Sequence, residues 1–235
     1  YLAPCAWEQS SIKKILFFHH TSVIGGASLS GLNVLSAIPK DQYDVIVYCN
    51  TFGGEMSNIF EKAGFKVINA YKSPTSLCHF SGSNILALSF RALLNYIMIF
   101  IDYKRISSII PELNPDIVIV NSMTLFWIGK IAKKANKETI CFFRETYTKG
   151  LFGIRTSIIK YFLNKYFDKI SFISQYDLKQ NNVLKCNKRI IYNAVNSEDY
   201  KTIDKNIEKT KLGLNLSDFN ILFVGGMLPL KGASI

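Results

Sequence analysis

The sequence predicts an α/β fold with a doubly wound, mostly parallel sheet, and three observations support this. Short apolar runs rich in β-branched residues recur along the 235 residues. The runs are nearly continuous rather than alternating, as in strands that are buried on both faces of a parallel sheet. Helical patterns separate them, so strand and helix alternate along the chain. Hydrophobic residues make up 49% of the chain, which is enough for a sizeable core.

Eight apolar runs are predicted to be strands, and four helical patterns lie between them. The strands cover residues 13–20, 43–50, 65–70, 116–122, 139–145, 169–175, 189–194 and 220–226. The helices cover residues 27–38, 56–63, 85–110 and 155–169. Gly64 follows the second helix as a stop signal, and the third helix is predicted to end before Pro111. Apolar residues on one stripe of 155–169, with lysines beside it, predict an amphipathic helix.

A polar, charged segment, Tyr192–Gly213, separates a first domain from the start of a second. Residues 13–195 are predicted to form one complete α/β domain, and residues 196–219 a linker. Residues 220–235 are predicted to be the first strand and turn of a second domain. Because this strand–glycine–lysine unit stops shortly after its lysine, we expect the chain to be a fragment that lacks most of that domain.

The net charge of +11 narrows the classes of partner. Lysines spread along the chain are compatible with a plain lysine-rich surface, with an anionic membrane surface or with a phosphorylated substrate. The sequence has no RNA-binding fingerprint or zinc-finger spacing, so we expect no nucleic-acid partner.

Five singly scattered cysteines suggest reduced thiols in a cytoplasmic protein. The longest apolar stretch, 85–100, is too short to span a bilayer and is expected to be a buried or membrane-facing helix. Peripheral association with the inner face of a membrane, through the helix at 155–169, is the expected membrane contact.

Polar residues at the carboxyl ends of the strands are candidates for a site, because ligands of open parallel sheets bind there. Arg144 offers a fork of donors suited to phosphate, and the neighbouring Glu145 could act as a base or accept from sugar hydroxyls. The same pair could equally be surface charges that contribute little. The candidates for sugar or acceptor contact at the other strand ends are His20, Asn121, Ser122 and Asn193.

Gly25 and Gly26 stand between the first strand and the first helix. Side-chain-free residues before a helix N-terminus suit a phosphate or a developing negative charge, although a tight turn with positive φ would also favour glycine. The spacing is not GxGxxG, and Asn50 stands where an acid would hold a ribose, so a dinucleotide oxidoreductase is disfavoured. His19 and His20 are neighbours on a strand and point to opposite faces, so no metal site is expected.

Six features in this order resemble the family-4 glycosyltransferases, which are retaining enzymes of the GT-B fold. They are GGA opening the first helix, NPDIVIVNS (114–122), the polar pair Arg144-Glu145, FDKISFISQYDLKQ (167–180), IIYNAVNSEDY (190–200) and FVGGMLPLKG (223–232). The resemblance runs from about Lys13 to Gly232.

The resemblance implies two facing Rossmann-like domains, an N-terminal one for the acceptor and a C-terminal one for the nucleotide-sugar donor. It implies transfer with retained configuration and without a metal or other cofactor. By position, Gly25 and Gly26 would lie against the donor phosphate or the transferring sugar, and Lys231 would contact the donor diphosphate. Arg144 stands where many members of that family have a histidine that faces the cleft. The main acid motif of the family would lie beyond Ile235.

Two hypotheses follow for the function. The first is a retaining glycosyltransferase that moves a sugar from a nucleotide sugar to a glycan or lipid-linked acceptor in surface polysaccharide or glycoconjugate synthesis. The 235 residues alone are then expected to be inactive. The second is a non-catalytic α/β module that binds an anionic glycan or membrane surface through its net charge and the helix at 155–169. A place in the core is the alternative role for the apolar face of that helix.

Overall fold

The computed structural model describes residues 12–21, 23–49, 54–70, 85–144, 154–195 and 204–222. The described chain divides into two compact units at the bond between Ala194 and Val195. The first unit carries a sheet with helices around it. The second unit contributes a single described helix.

Seven parallel strands form one sheet in the order β3-β2-β1-β4-β5-β6-β7. The predicted α/β class with a doubly wound parallel sheet is therefore confirmed. The strand order reverses between β1 and β4, which are hydrogen-bonded neighbours with Phe18 opposite Val120. The strands are β1 Lys13–His19, β2 Tyr43–Cys49, β3 Lys66–Asn69, β4 Ile117–Val120, β5 Glu138–Phe143, β6 Lys169–Phe172 and β7 Asn187–Ile190.

Helices cover both faces of the sheet, which explains why the strands are apolar on both sides. Along β1, Leu16 and Phe18 belong to one core, while Ile15 and Phe17 belong to another. All four are at most 3% exposed. The helices are α1 Gly26–Ser36, α2 Glu55–Lys62, α3 Ile85–Leu113, α4 Phe126–Lys134, α5 Ile154–Tyr166, α6 Gln175–Gln180 and α7 Lys205–Lys211, and a 3₁₀ turn covers Met123–Leu125.

Helix α3 continues past the point where the sequence predicted its end. It passes through Pro111 and ends at Leu113. Pro111 has no backbone N–H to donate, yet the helix continues for two residues beyond it. The helix instead stops at Asn114, which has a φ of 45° and donates from its backbone to Ile110 O at 3.0 Å. Asparagine tolerates this left-handed conformation better than most residues do.

Helix α4 was not predicted, and it packs tightly against the end of α5. Six of its nine residues are buried. A Cβ added at Gly129 would lie 2.4 Å from a ring carbon of Phe167, so glycine is the residue that fits there. Asp168 fixes the same corner by accepting from Lys133 Nζ at 2.5 Å and from Thr139 N at 2.9 Å. Burial favours the neutral acid, but these hydrogen bonds outweigh it and hold the pKa of Asp168 below its usual range.

The apolar face of α5 belongs to the core, which was the alternative to membrane binding for this face. Ile159 and Leu163 are at most 2% exposed, and Phe162 is packed against the same core. Other residues of this helix face outward. Among the described residues, no helix is long and apolar enough to cross a bilayer.

The second unit differs from expectation in its described part. Helix α7 lies within the segment that was predicted to be a linker, and the Asp204 side chain caps it by accepting from Asn206 N at 2.8 Å. The Lys209 ammonium group donates to three backbone carbonyls after the helix, those of Asn215, Leu216 and Asp218. Residues 220–222 are not in a strand, and the rest of the predicted eighth strand lies outside the described residues.

Candidate active site

Polar side chains from four strands and one helix meet at the carboxyl edge of the sheet, where the strand order reverses. His19 ends β1, Asn121 follows β4, Arg144 follows β5 and Asn193 comes three residues after β7. Ser30 reaches the same place from α1. Crevices at this edge and at such a reversal are where open α/β sheets bind their ligands. We call these five residues the edge cluster.

Arg144 is the centre of the edge cluster. Its Nε donates to Asn121 Oδ1 at 2.8 Å, and its Nη1 donates to Ser30 Oγ and to Asn193 Oδ1, the latter at 3.2 Å. The guanidinium carbon lies 5.2 Å from the centre of the Phe142 ring, a distance typical of cation–π contact. A planar group with this many directed donors is therefore held in one orientation.

The residues after β7 are attached to α1. Ser30 Oγ donates to Asn193 Oδ1 at 2.6 Å, and Asn33 Nδ2 donates to Ala194 O at 3.2 Å. The Ser30 hydroxyl thus accepts a hydrogen bond from Arg144 and donates one to Asn193. Helix α1 and the chain end of the first unit are thus joined by two hydrogen bonds, one from Ser30 and one from Asn33.

Asn121 is fully buried and uses its amide on three partners. Its Nδ2 donates to Ala27 O at 3.0 Å and lies 3.1 Å from His19 Nδ1, while its Oδ1 accepts from Arg144. The amide lies directly against α1, because a Cβ added at Gly31 would be 2.6 Å from Nδ2. Real Cβ atoms essentially never approach another atom so closely, so Gly31 is what admits the amide to this position.

His19 is fully buried beside Asn121. Burial first, and then the positive charge of Arg144, lower its pKa from the usual 6.5 to about 4. The ring is therefore neutral at physiological pH. Its Nε2 has no hydrogen-bond partner among the described residues.

Gly25 and Gly26 lie at the start of α1 with open space around them. Gly25 is the N-cap residue with φ of −162° and ψ of 174°, and positive φ occurs at neither glycine. The alternative that this pair serves a turn with positive φ is therefore wrong. A Cβ added at either residue would meet no atom within 4 Å. Their role toward a phosphate stays a prediction.

The structure does not bring all the predicted site residues together. It joins Arg144, Asn121 and Asn193. Ser122 is buried apart from them, where it caps the 3₁₀ turn and its hydroxyl lies 2.7 Å from that of Thr124. His20 is only 5% exposed. Glu145 and Lys231 lie outside the described residues.

Sequence reasoning missed two members of the edge cluster. It selected His20 rather than His19. Both histidines stand at the end of the first predicted strand, and nothing in the sequence shows which of them reaches the site. It passed over Ser30, which stands in the middle of a helix. One available signal was the neighbouring Gly31, since a glycine inside a helix often marks a close approach. Among the described residues, no group of three His, Cys, Asp or Glu side chains could hold a metal ion.

Solved structures share this fold at low sequence identity. A glycosyltransferase from Rickettsia africae ESF-5 matches 88% of this chain with 18% identity and a TM-score of 0.57. Arabidopsis thaliana UGT89C1 complexed with quercetin matches 85% with 14% identity and a TM-score of 0.55. Phytolacca americana UGT2 complexed with UDP-2fluoro-glucose and pterostilbene matches 80% with 8% identity and a TM-score of 0.50. What the chain shares with them is the Rossmann-like α/β fold, a parallel sheet flanked by helices.

This chain spans about half the length of those GT-B structures, namely 51%, 54% and 55% of them in the same order. No protein-family model matches the sequence, and no curated protein matches it significantly. The likeness to GT-B structures therefore concerns the fold.

Proposed function

We propose that this chain is the acceptor-side part of a glycosyltransferase that uses a nucleotide-sugar donor. The observation that carries the proposal is the edge cluster, in which a fixed guanidinium group and two side-chain amides meet where the strand order reverses. The shared GT-B fold supports it, and so does the complex of one such structure with UDP-2fluoro-glucose. The finer parts of the proposal rest on the resemblance of the sequence. They are a family-4 retaining mechanism, metal independence, a glycan or lipid-linked acceptor, a role in surface polysaccharide synthesis and a cytoplasmic location.

The chemistry assigned to Arg144 is electrostatic. Arginine keeps its proton at any physiological pH, so it cannot act as a base. A fixed positive charge can instead stabilise the negative charge that grows on a leaving diphosphate or on a reacting oxygen. Because its donors are already directed by Asn121, Ser30 and Asn193, the guanidinium group need not reorganise during the reaction.

Exchanging Arg144 for lysine tests this proposal in the protein encoded by the full reading frame. An ammonium group keeps the charge but cannot hold three partners in a plane, so we expect kcat/KM to fall about tenfold to a hundredfold. The measurement is release of nucleoside diphosphate from a panel of UDP-, GDP- and dTDP-sugars, with and without acceptor glycans. Arg189→Lys is the matched control, since Arg189 lies exposed on β7 away from the edge cluster.

Two results would overturn the proposal. One is a wild-type protein that turns over no nucleotide sugar of the panel. The other is an Arg144→Lys variant with the same kcat/KM as the Arg189→Lys control.

A second candidate function, binding to an anionic membrane surface, is favoured by the outer face of α5. Ile158 is 40% exposed and Tyr161 is 53% exposed, although both are large and apolar in part. Lys165 Nζ donates to the Tyr161 hydroxyl at 2.7 Å and lies over the Tyr161 and Tyr166 rings. Aromatic rings beside lysines suit the level of the lipid headgroups, and the net charge of +11 adds attraction.

Vesicle flotation tests this second candidate. We expect the protein to float with vesicles that contain phosphatidylserine at about 0.15 M salt and to remain in solution with neutral vesicles. Tyr161→Ser/Lys165→Ser should weaken flotation severalfold. Tyr176→Ser/Lys179→Ser on α6 removes a similar exposed pair and should leave flotation unchanged. Equal flotation of both double variants, or none by the wild type, would contradict membrane binding through α5.

A further inference from the structure

The hydrogen bonds of Asn121 determine which way its amide points. Arg144 Nε can only donate, so the Asn121 atom that meets it at 2.8 Å must be the oxygen. The amide nitrogen then faces Ala27 O at 3.0 Å and His19 Nδ1 at 3.1 Å. A carbonyl oxygen can only accept, which again requires nitrogen on that side. The amide is therefore assigned by its partners, with one N–H for the carbonyl and one for the imidazole.

This assignment fixes the tautomer of His19. Because the Asn121 nitrogen carries only donors, His19 Nδ1 has to accept and cannot carry a proton. A neutral imidazole has a single N–H, which must then be on Nε2. His19 is thus held as a hydrogen-bond donor through Nε2.

The Nε2–H of His19 lacks an acceptor among the described residues, although the side chain is 0% exposed. The rings next to it are those of Phe60, 5.3 Å away between centroids, and His20 at the same distance. Leaving a buried donor unsatisfied costs free energy, and such atoms in folded proteins often serve a water molecule or a ligand. Its place at the carboxyl end of β1, where the strand order reverses, favours a ligand.

We propose that His19 is a neutral hydrogen-bond donor of the edge cluster, with Asn121 as its positioning residue and a ligand oxygen as the acceptor for Nε2–H. The inference rests on the proposed function for the identity of that ligand, a nucleotide sugar. The oxygen belongs either to its phosphate or to a sugar hydroxyl, because both accept from an N–H group.

The electrostatic surroundings agree with a donor rather than a base. Arg144, which follows β5, places a positive charge near His19. Cys49 on β2 and Phe60 on α2 are uncharged near neutral pH. Burial raises the pKa of the Cys49 thiol to about 12, so it stays protonated. His20 is the other titratable group that touches the ring. A proton accepted by His19 would stand near the guanidinium group without a nearby anion among these residues.

Nitrogen NMR of the imidazole rings tests the tautomer directly. The sequence has three histidines, so a ¹⁵N-histidine-labelled sample gives three ring systems, and loss of one set in His19→Gln assigns His19. We expect a neutral ring with the proton on Nε2 between pH 7.5 and about 5, since the pKa is about 4. A proton on Nδ1, or an imidazolium ring at pH 7, would overturn the proposal without touching the proposed function.

Asn121→Asp supplies the opposite arrangement. A carboxylate cannot donate to Nδ1, so the ring is expected to move its proton to Nδ1 and hydrogen-bond to the new carboxylate. An unchanged Nε2–H tautomer in a folded Asn121→Asp protein would show that Asn121 does not position His19. If this variant does not fold, the wild-type spectrum still decides the tautomer.

Ligand addition to the full-length protein identifies the acceptor oxygen. A shift of the His19 Nε2–H signal with nucleoside diphosphate alone indicates a phosphate oxygen. A shift that requires the intact nucleotide sugar indicates a sugar hydroxyl. No shift with either, in a protein that turns the sugar over, would overturn the assignment of a ligand to Nε2.

Kinetics separate a donor from a base. His19→Gln keeps an N–H group and should stay within about threefold of wild-type kcat/KM, whereas His19→Phe keeps the shape without the donor and should lose about tenfold or more. The acid limb of the kcat/KM profile should be the same in all three proteins. If His19→Gln and His19→Phe both lost kcat/KM equally, by more than tenfold, and the acid limb disappeared in both, His19 would be a base and the proposal would be overturned. A wild type without transferase activity would instead refute the proposed function and leave the tautomer measurement standing.

Discussion

Gly129→Ala is expected to lower the free energy of unfolding by about 1–2 kcal/mol, although alanine is the better helix former. The added methyl group would lie 2.4 Å from one ring carbon of Phe167 and 2.7 Å from another. Phe167 is only 4% exposed, so the ring has little room to move away. Overpacking of this kind typically costs about 1–3 kcal/mol, and the helix preference returns up to about 1 kcal/mol.

Two further variants make the Gly129 prediction sharp. Gly26→Ala makes the same change in a helix where the methyl group meets no atom within 4 Å, so it should be neutral or slightly stabilising. Phe167→Leu removes the ring atoms, and in that background Gly129→Ala should cost nothing. Urea denaturation followed by circular dichroism gives the free energy of unfolding of the three single variants and of the double variant. Destabilisation by Gly129→Ala that persists undiminished in the Phe167→Leu background would show that the ring contact is not the cause.

Gly31→Ala is expected to disturb both stability and the edge cluster. A methyl group 2.6 Å from Asn121 Nδ2 cannot coexist with the present amide position. Asn121 is fully buried, so moving it breaks hydrogen bonds to Ala27 and Arg144 without offering water instead. We expect a loss of about 2–3 kcal/mol in the free energy of unfolding, from overpacking and unsatisfied polar groups together.

A functional readout accompanies that loss. Because Arg144 depends on Asn121 for its orientation, Gly31→Ala should reduce kcat/KM to the level of Arg144→Lys at a temperature where the variant is folded. Gly26→Ala serves only as the stability control, since Gly26 is itself a candidate phosphate contact. A Gly31→Ala protein with wild-type stability and kcat/KM would mean that the amide of Asn121 has an alternative position of equal free energy.

The strands were the most predictable part of the fold, for a simple physical reason. A strand buried on both faces must be apolar at nearly every position, and Ile15 to Phe18 illustrate this in β1. Such runs stand out from the rest of the sequence. Their ends were less well defined, since β5 stops at Phe143 and leaves Arg144 at the edge.

The helices were harder to predict than the strands. Helix α4 begins with four consecutive buried residues, Phe126–Gly129, shortly after β4 and the 3₁₀ turn, so its apolar start resembles a continuation of the strand run. The end of α3 was misplaced because the helix continues through Pro111 and stops before Asn114, which adopts the left-handed conformation. Helix α7 had an available signal in Asp204, whose side chain caps it.

The rule that ligands meet strand ends was sufficient to find most of the edge cluster. It selected Asn121, Arg144 and Asn193 from three distant parts of the sequence, and the structure joins them by hydrogen bonds. It could not select Ser30, because which residues of α1 reach Arg144 and Asn193 depends on how the helix packs. Nor could it choose between His19 and His20, because the choice depends on which ring meets Asn121.

The Ser30 hydroxyl couples Arg144 to the end of the first unit. It accepts from the guanidinium group of Arg144 and donates to Asn193, the residue just before the last one of the first unit. Replacing Ser30 with alanine would therefore remove a hydrogen-bond partner from both residues at once.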